Sequence, residues 1–273
     1  MDAVSFFGLE QIAWKRWRMP VVRELISGTG ALFGGAGLGA AIEVAEIETG
    51  RAVTWATAQF LNFAPVGEVL ELEVLEIVRG NSVSQVRVLA TSRGREILTV
   101  LGAFGHRPSK FTGQWAHCPV VPPPDACPPR IMLQEHEGTI SSRMEMQLAN
   151  ARPFTDFPAE PGDGTSALWI RFPGLSELKA SGLAIIGDFV PFGIGQALGR
   201  RAGGNSLDNT LRVCNLVETD WVLADVRVHG LADGFGHGLV HLWTPDGVLL
   251  GTASQSTMVR QHRDAEPDPE ASA

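Results

Sequence analysis

Two periodicities alternate along this chain. In GALFGGAGLGAAIEVAEIETGR, Ala40, Ala41, Val44, Ala45 and Ile47 recur at helical spacing until Gly50 ends the run, which predicts a helix opening on glycines. From Ala52 the period falls to two. Leu70, Leu72 and Val74 alternate with Val69, Glu71 and Glu73, predicting a strand with one packed and one wet face. Strands over 84–90 and 96–104 follow, joined by a hairpin at 92–94. Ahead of the helix, 21–26 reads as a strand and 27–30 as a turn.

Seven prolines from Pro108 to Pro129 (108, 119, 122, 123, 124, 128 and 129) exclude interior sheet or helix and mark a connector. Beyond it, 136–147 and 166–172 read as strands, 150–164 as a loop, and 183–186 with 189–202 as a helical block. A second strand set begins at Ser206, with turns at 218–220, 230–236 and, at Pro245-Asp246-Gly247, a strong hairpin signal. After Arg260 the acidic, proline-bearing tail predicts disorder.

The halves resemble each other. An offset of 152 lays Ala56 on Asp208, Pro65 on Val217, Val69 on Trp221 and Val74 on Val226. A duplicated α+β unit with antiparallel sheet accounts for this, divided as 1–107, a connector over 108–135, a second unit over 136–260, and a tail over 261–273.

Charge and composition narrow the partners. A net charge of −8 argues against nucleic acid or an anionic membrane surface as the main partner. No apolar run is read as reaching the length of a membrane span, and the acid at position 2 argues against a secretory signal. Three cysteines suit a reducing cytoplasm.

Most motifs lead nowhere. Gly35-Ala36-Gly37-Leu38-Gly39-Ala40 fits a dinucleotide fingerprint, but the next strand runs into Thr54-Trp55-Ala56 without the required acid, so a close-packed helix start is preferred and no cofactor is expected. There is no G-x-S-x-G elbow, no H-E-x-x-H and no paired C-x-x-C, so neither a hydrolase serine nor a metal site is expected. Three polar residues in the second strand set have no counterparts in the first. Asp208 opens an apolar strand and could cap, accept a hydrogen bond or act as a base. Gln255 lies in a strand of small residues. His229 shares strand parity with Asp225 and Arg227.

With Phe33-Gly34-Gly35, Ser206-Leu207-Asp208-Asn209-Thr210, Trp221-Val222-Leu223, His237-Gly238-Leu239-Val240 and Gln255 before Arg260, the chain resembles the acyl-CoA thioesterase II family over nearly its whole length. The resemblance implies a double hotdog, two antiparallel sheets each wrapped around a long helix. It also implies hydrolysis of a fatty acyl-CoA by activated water, using an Asp, a hydroxyl residue and a Gln. Asp208 and Gln255 match the first and last. The hydroxyl position falls near Val228 or His229, so His229 is expected to help position the water. The oxyanion is expected at the amides of Gly34, Gly35 and Gly37. A non-catalytic acyl-CoA-binding protein is the alternative, and a hotdog hydratase is disfavoured for want of an Asp-x₄-His pair. Exposed sheet edges suggest a homodimer.

Overall fold

The computed structural model describes residues 1–132 and 134–261, so the tail expected to be disordered lies outside the described residues, apart from Gln261, which ends the last strand. A short helix α1 (Ala3–Phe7) precedes the hairpin β1 (Glu10–Ala13) and β2 (Arg16–Pro20). Helix α2 (Gly34–Thr49) then leads into β3 (Val53–Phe60), β4 (Val69–Arg79), β5 (Val83–Ser92) and β6 (Arg95–Gly105). The second half opens with β7 (Glu145–Asn150) and β8 (Thr165–Arg171). Two helices follow, α3 (Ala180–Ile186) and α4 (Val190–Leu198), and then β9 (Ala202–Val213), β10 (Val222–Ala232), β11 (Phe235–Trp243) and β12 (Leu249–Gln261).

All strands form one sheet in the order β1-β2-β4-β5-β6-β3-β9-β12-β11-β10-β8-β7. This corrects the expectation of two sheets. The order is palindromic about the antiparallel β3–β9 pair, which fuses the halves through Trp55↔Arg212 to Gln59↔Asp208. The duplication seen in sequence is thus a pseudo-twofold axis through that pair, where the facing Thr57 and Thr210 hydroxyls bond at 2.6 Å.

Two smaller corrections have local causes. Residues 21–26 are not a strand, because the chain folds into a 3-10 turn at Arg23–Leu25. The hairpin before it turns at Lys15, which adopts φ 59°. In 136–147 the strand starts only at Glu145, after a 3-10 turn over Ile140–Arg143.

The helices fill the concave side of the sheet. Every residue of α2 from Gly35 to Ala45 is buried, so this helix has no wet face until its last turn, where Ile47 is exposed. It crosses α3 on glycine. A Cβ built on Gly39 would lie 2.5 Å from the Ser181 carbonyl oxygen, and one on Gly35 would lie 2.7 Å from that of Ala184. Backbone meets backbone there, leaving no room for a side chain.

Ala180–Leu198 is a 19-residue apolar stretch of mean hydropathy 1.3, long enough by composition to cross a membrane, contrary to the expectation that no run reaches that length. In the fold 78% of its most apolar window is buried, as the core of the second half. It is also not one helix. Pro191 has no N–H to continue α3 and its ring crowds the carbonyl of residue 187, so the chain breaks over 187–189 and restarts as α4 with proline in its first turn.

Gly39→Val should overpack this crossing, costing about 2 kcal/mol and lowering Tm by roughly 4–8 °C. Thermal denaturation followed by circular dichroism measures it, and a variant melting with the wild type would show that the helices can part freely.

Candidate active site

The break between α3 and α4 holds a carboxylate. Asp188 sits there, 5% exposed, in a stretch otherwise made of apolar residues and glycine. The Gly35 amide, in the first turn of α2, donates to its Oδ2 at 2.6 Å. The Ser206 hydroxyl donates to Oδ1 at 3.2 Å, and the Gln255 amide nitrogen makes short hydrogen bonds to both Oδ1 and the Ser206 oxygen. Gln255 is held in turn by its own oxygen, which accepts from the Val190 N–H at 3.2 Å. One half of the duplication thus supplies a helix N-terminus to a carboxylate whose other partners come from the second half.

Removal from water pushes the Asp188 carboxyl up to about 7, against the lowering effect of donors from Gly35, Gln255 and Ser206. The group can therefore exchange a proton near neutrality.

A cleft of about 550 Å³ opens directly onto this group. Its position follows from the strands. Pairing of β3 with β9 ends at Gln59↔Asp208, whereas β9 continues to Ala202 paired with β12 alone. The space between the parted strands is lined by Phe60 and Leu61 on one side and by 202–207 on the other. Asp188 and Ser206 face it, and Gln255 stands behind them, outside its lining. Gly34 also lines the cleft. Its N–H opens α2 without a partner among the described hydrogen bonds, and a Cβ there would lie 2.9 Å from Asp188 Oδ2.

A β-bulge brings Ser206 into this group. Opposed residues in an antiparallel pair share a face, and Gln255 (opposite Asn209) points inward to the helices, so Asp208, opposite Ser256, points outward. Two residues further back, Ser206 would also point outward. The register shifts, however, and Ser206 faces Thr257, which is fully buried on the inner side. Leu207 is the extra residue. Asp208 secures the bulge by accepting the Ser256 N–H at 2.8 Å.

The structure brings Gln255, Gly34 and Gly35 together, and it separates the other expected residues. Asp208 lies on the opposite face of the sheet from Gln255, outside the cleft lining and apart from the Asp188 group. His229 is exposed, at the irregularity between Val228 and Gly230 where β10 slips against β11, and touches none of the site. The hydroxyl comes from Ser206 on β9, not from β10. Gly37 is packed against Leu98 in the core, and its amide is taken by the Phe33 carbonyl. Sequence reasoning missed Asp188 although a signal was present. A lone acid inside a 19-residue apolar stretch, three residues before a proline, is costly to bury without purpose.

Two family models match the chain, the acyl-CoA thioesterase N-terminal domain over residues 24–105 and the C-terminal domain over residues 121–259. Among solved structures, a candidate thioesterase from Novosphingobium aromaticivorans is 34% identical, with a TM-score of 0.81 over 92% of this chain and 97% of that one. A hot dog protein of unknown function from Alicyclobacillus acidocaldarius superposes at a TM-score of 0.82 with 19% identity, covering 96% and 98%. An acyl-CoA thioesterase II from Mycobacterium marinum gives 0.73 and 20%, again over 96% and 98%. The last two show likeness of fold alone. No curated protein sequence matches.

Two measurements test the geometry. A carboxyl whose folded value of about 7 exceeds the ordinary 3.8 favours folding while protonated; this contribution is complete below about 3.8 and is lost as pH rises to about 7. Asp188→Asn should therefore melt above the wild type at pH 8, by at most on the order of 4 kcal/mol, with the gap closing towards pH 4. Equal melting at pH 8 would mean that ionised Asp188 carries no such burden. For the bulge, Asp208→Asn keeps an acceptor for Ser256 and should leave the site intact, whereas Asp208→Ala should cost about 1 kcal/mol of stability. Indistinguishable melting of the two variants would argue against the bulge-holding role.

Proposed function

The chain belongs to the acyl-CoA thioesterase family, and from that footing we propose that it hydrolyses a fatty acyl-CoA to the free acid and CoA at Asp188, Ser206 and Gln255. The observation that carries the reading is a buried carboxylate, poised near neutral pH, that shares a cleft with a hydroxyl and an unpartnered helix N-terminal amide.

In this reading water enters the cleft beside Asp188 and Ser206. Asp188 accepts one of its protons as the oxygen attacks the thioester carbon, and Ser206 orients it. Gln255 is a positioning residue, clamping both from behind. The carbonyl oxygen becomes anionic as the tetrahedral centre forms, and the Gly34 N–H, at the positive end of α2, donates to it. The C–S bond then breaks, and the proton on Asp188 passes to the departing thiolate, returning Asp188 to its starting state. A carboxyl near 7 suits both transfers, since a free thiol has a pKa of about 8.5.

The cleft's charge favours CoA as leaving group. Asp188 is the only acid among the described lining residues, which include Arg152, Arg200, Arg201 and Arg260. None of these four pairs with a described carboxylate, although the protein's net charge is −8. Unpaired guanidinium groups around one cleft suit the phosphates of CoA. The alternative of a non-catalytic binder rests on a missing hydroxyl, and in this reading Ser206 supplies one. A cytoplasmic homodimer remains our expectation for its setting.

The test is release of free thiol from a panel of acyl-CoAs. Asp188→Asn should lower kcat by about 10²-fold or more, and Gln255→Ala and Ser206→Ala by about tenfold or more. The wild-type kcat/KM should climb to a plateau above about pH 7, because the base must be ionised. Full activity in Asp188→Asn would place the base elsewhere.

A further inference from the structure

A fifth arginine, Arg130, also lines the cleft, in different surroundings. It follows Pro128-Pro129, and its backbone N–H donates to the Met146 carbonyl at 2.9 Å while Pro129 bridges to Gln147, which pins it beside β7. Its guanidinium lies 4.8 Å from the ring centre of Phe192 and 5.9 Å from that of Phe189. Phe189 is the residue after Asp188, so the cation packs against the segment that carries the reacting carboxylate. Near them Met132, Ile140, Met144 and Leu148 line the same cleft, all of them core residues or packed against the core.

This cation is poorly provided for. A guanidinium has five N–H donors, and here the one described side-chain partner is the Met146 sulfur at 3.3 Å, a weak acceptor. No described carboxylate pairs with it. Burial lowers its pKa to about 10, so it stays charged at neutral pH. Aromatic faces recover part of the desolvation cost but leave the in-plane donors open. A plain alkyl chain would offer them nothing. A carboxylate would match the planar fork with two parallel hydrogen bonds and neutralise the charge.

We infer that Arg130 binds a carboxylate at the far end of the acyl chain, so that the preferred substrates are CoA thioesters of dicarboxylic acids. The inference rests on the thioesterase reading above. The other four arginines are left for the CoA phosphates; Arg201 lies over Phe154, and Arg130 is the one of the five set over Phe189 and Phe192, next to the carboxylate.

The experiment compares kcat/KM for matched pairs: hexanoyl- with adipoyl-CoA, octanoyl- with suberoyl-CoA, and decanoyl- with sebacoyl-CoA. In at least one pair the wild type should favour the carboxylated member by about tenfold or more. Arg130→Met should lose about 100-fold on that member while keeping its rate on the alkyl partner, and Arg130→Lys should recover part of the loss. Preference for the alkyl member in every pair, or an equal loss on both members, overturns the inference. The pairs are repeated as N-acetylcysteamine thioesters, which lack phosphate. A defect that persists there supports the inference, and one that vanishes assigns Arg130 to the phosphates and overturns it. If the wild type hydrolyses no thioester, the thioesterase reading is what has failed. Arg130 is then judged by thermal shift with adipate, suberate and sebacate: a rise in Tm in the wild type but not in Arg130→Met supports carboxylate recognition, and no rise in either, or the same rise in both, refutes it.

Discussion

A buried carboxylate sets the terms for the centre of this molecule. Ionising Asp188 inside an apolar core would cost several kcal/mol without compensation, so each group that meets it has to be a donor aimed at an oxygen. Those donors are drawn from three separate elements, the first turn of α2, the bulged strand β9 and the strand β12. Satisfying one side chain therefore requires that both halves of the duplication be folded and docked. The glycine crossing of α2 on α3 serves the same end, because only close backbone approach lets the Gly35 N–H reach the helix break.

The duplication explains why there is a site on one side only. Both halves carry the same strands in mirrored order, but the helix of the first half, α2, runs unbroken for 16 residues, whereas its counterpart is cut by Pro191. The break costs backbone hydrogen bonds, and in return it creates an inward-facing position for a carboxylate and frees the Val190 amide to orient Gln255. The unbroken helix contributes its N-terminus instead. The two similar units thus contribute differently, one supplying a helix N-terminus and the other a buried carboxylate at the break before Pro191. The parting of β3 from β9 then opens a cleft onto the carboxylate.

Much of this was legible in the residues, and the errors have definite causes. Helix α2, its glycine stop and the β5–β6 hairpin were read at nearly their true bounds, because they depend on local periodicity and turn chemistry. Gln255, Gly34, Gly35 and Gly37 were singled out; the first three gather around Asp188, whereas Gly37 packs into the core. Asp208 was singled out for its place at the start of an apolar strand and for the family resemblance; the bulge at Leu207, which turns Ser206 and not Asp208 inward, leaves no mark in that pattern, because a one-residue slip exchanges the two faces of a strand. His229 was chosen for a hydroxyl position that Ser206 fills from another strand.

By itself the sequence determined the duplicated α+β organisation, the elements with strong periodicity, and the family, all of which rest on contacts between residues close in the chain or on patterns repeated along it. Only the tertiary structure decided that the two units share one sheet, that the apolar helical stretch is broken around an acid, and which polar residues point inward. Those outcomes depend on strand register and on the docking of helices whose contacts span some 150 residues of sequence, such as Gly35 with Asp188, at a separation of 153. No local pattern records a face set by a bulge against a neighbouring strand. The chemistry of the site is a property of that register.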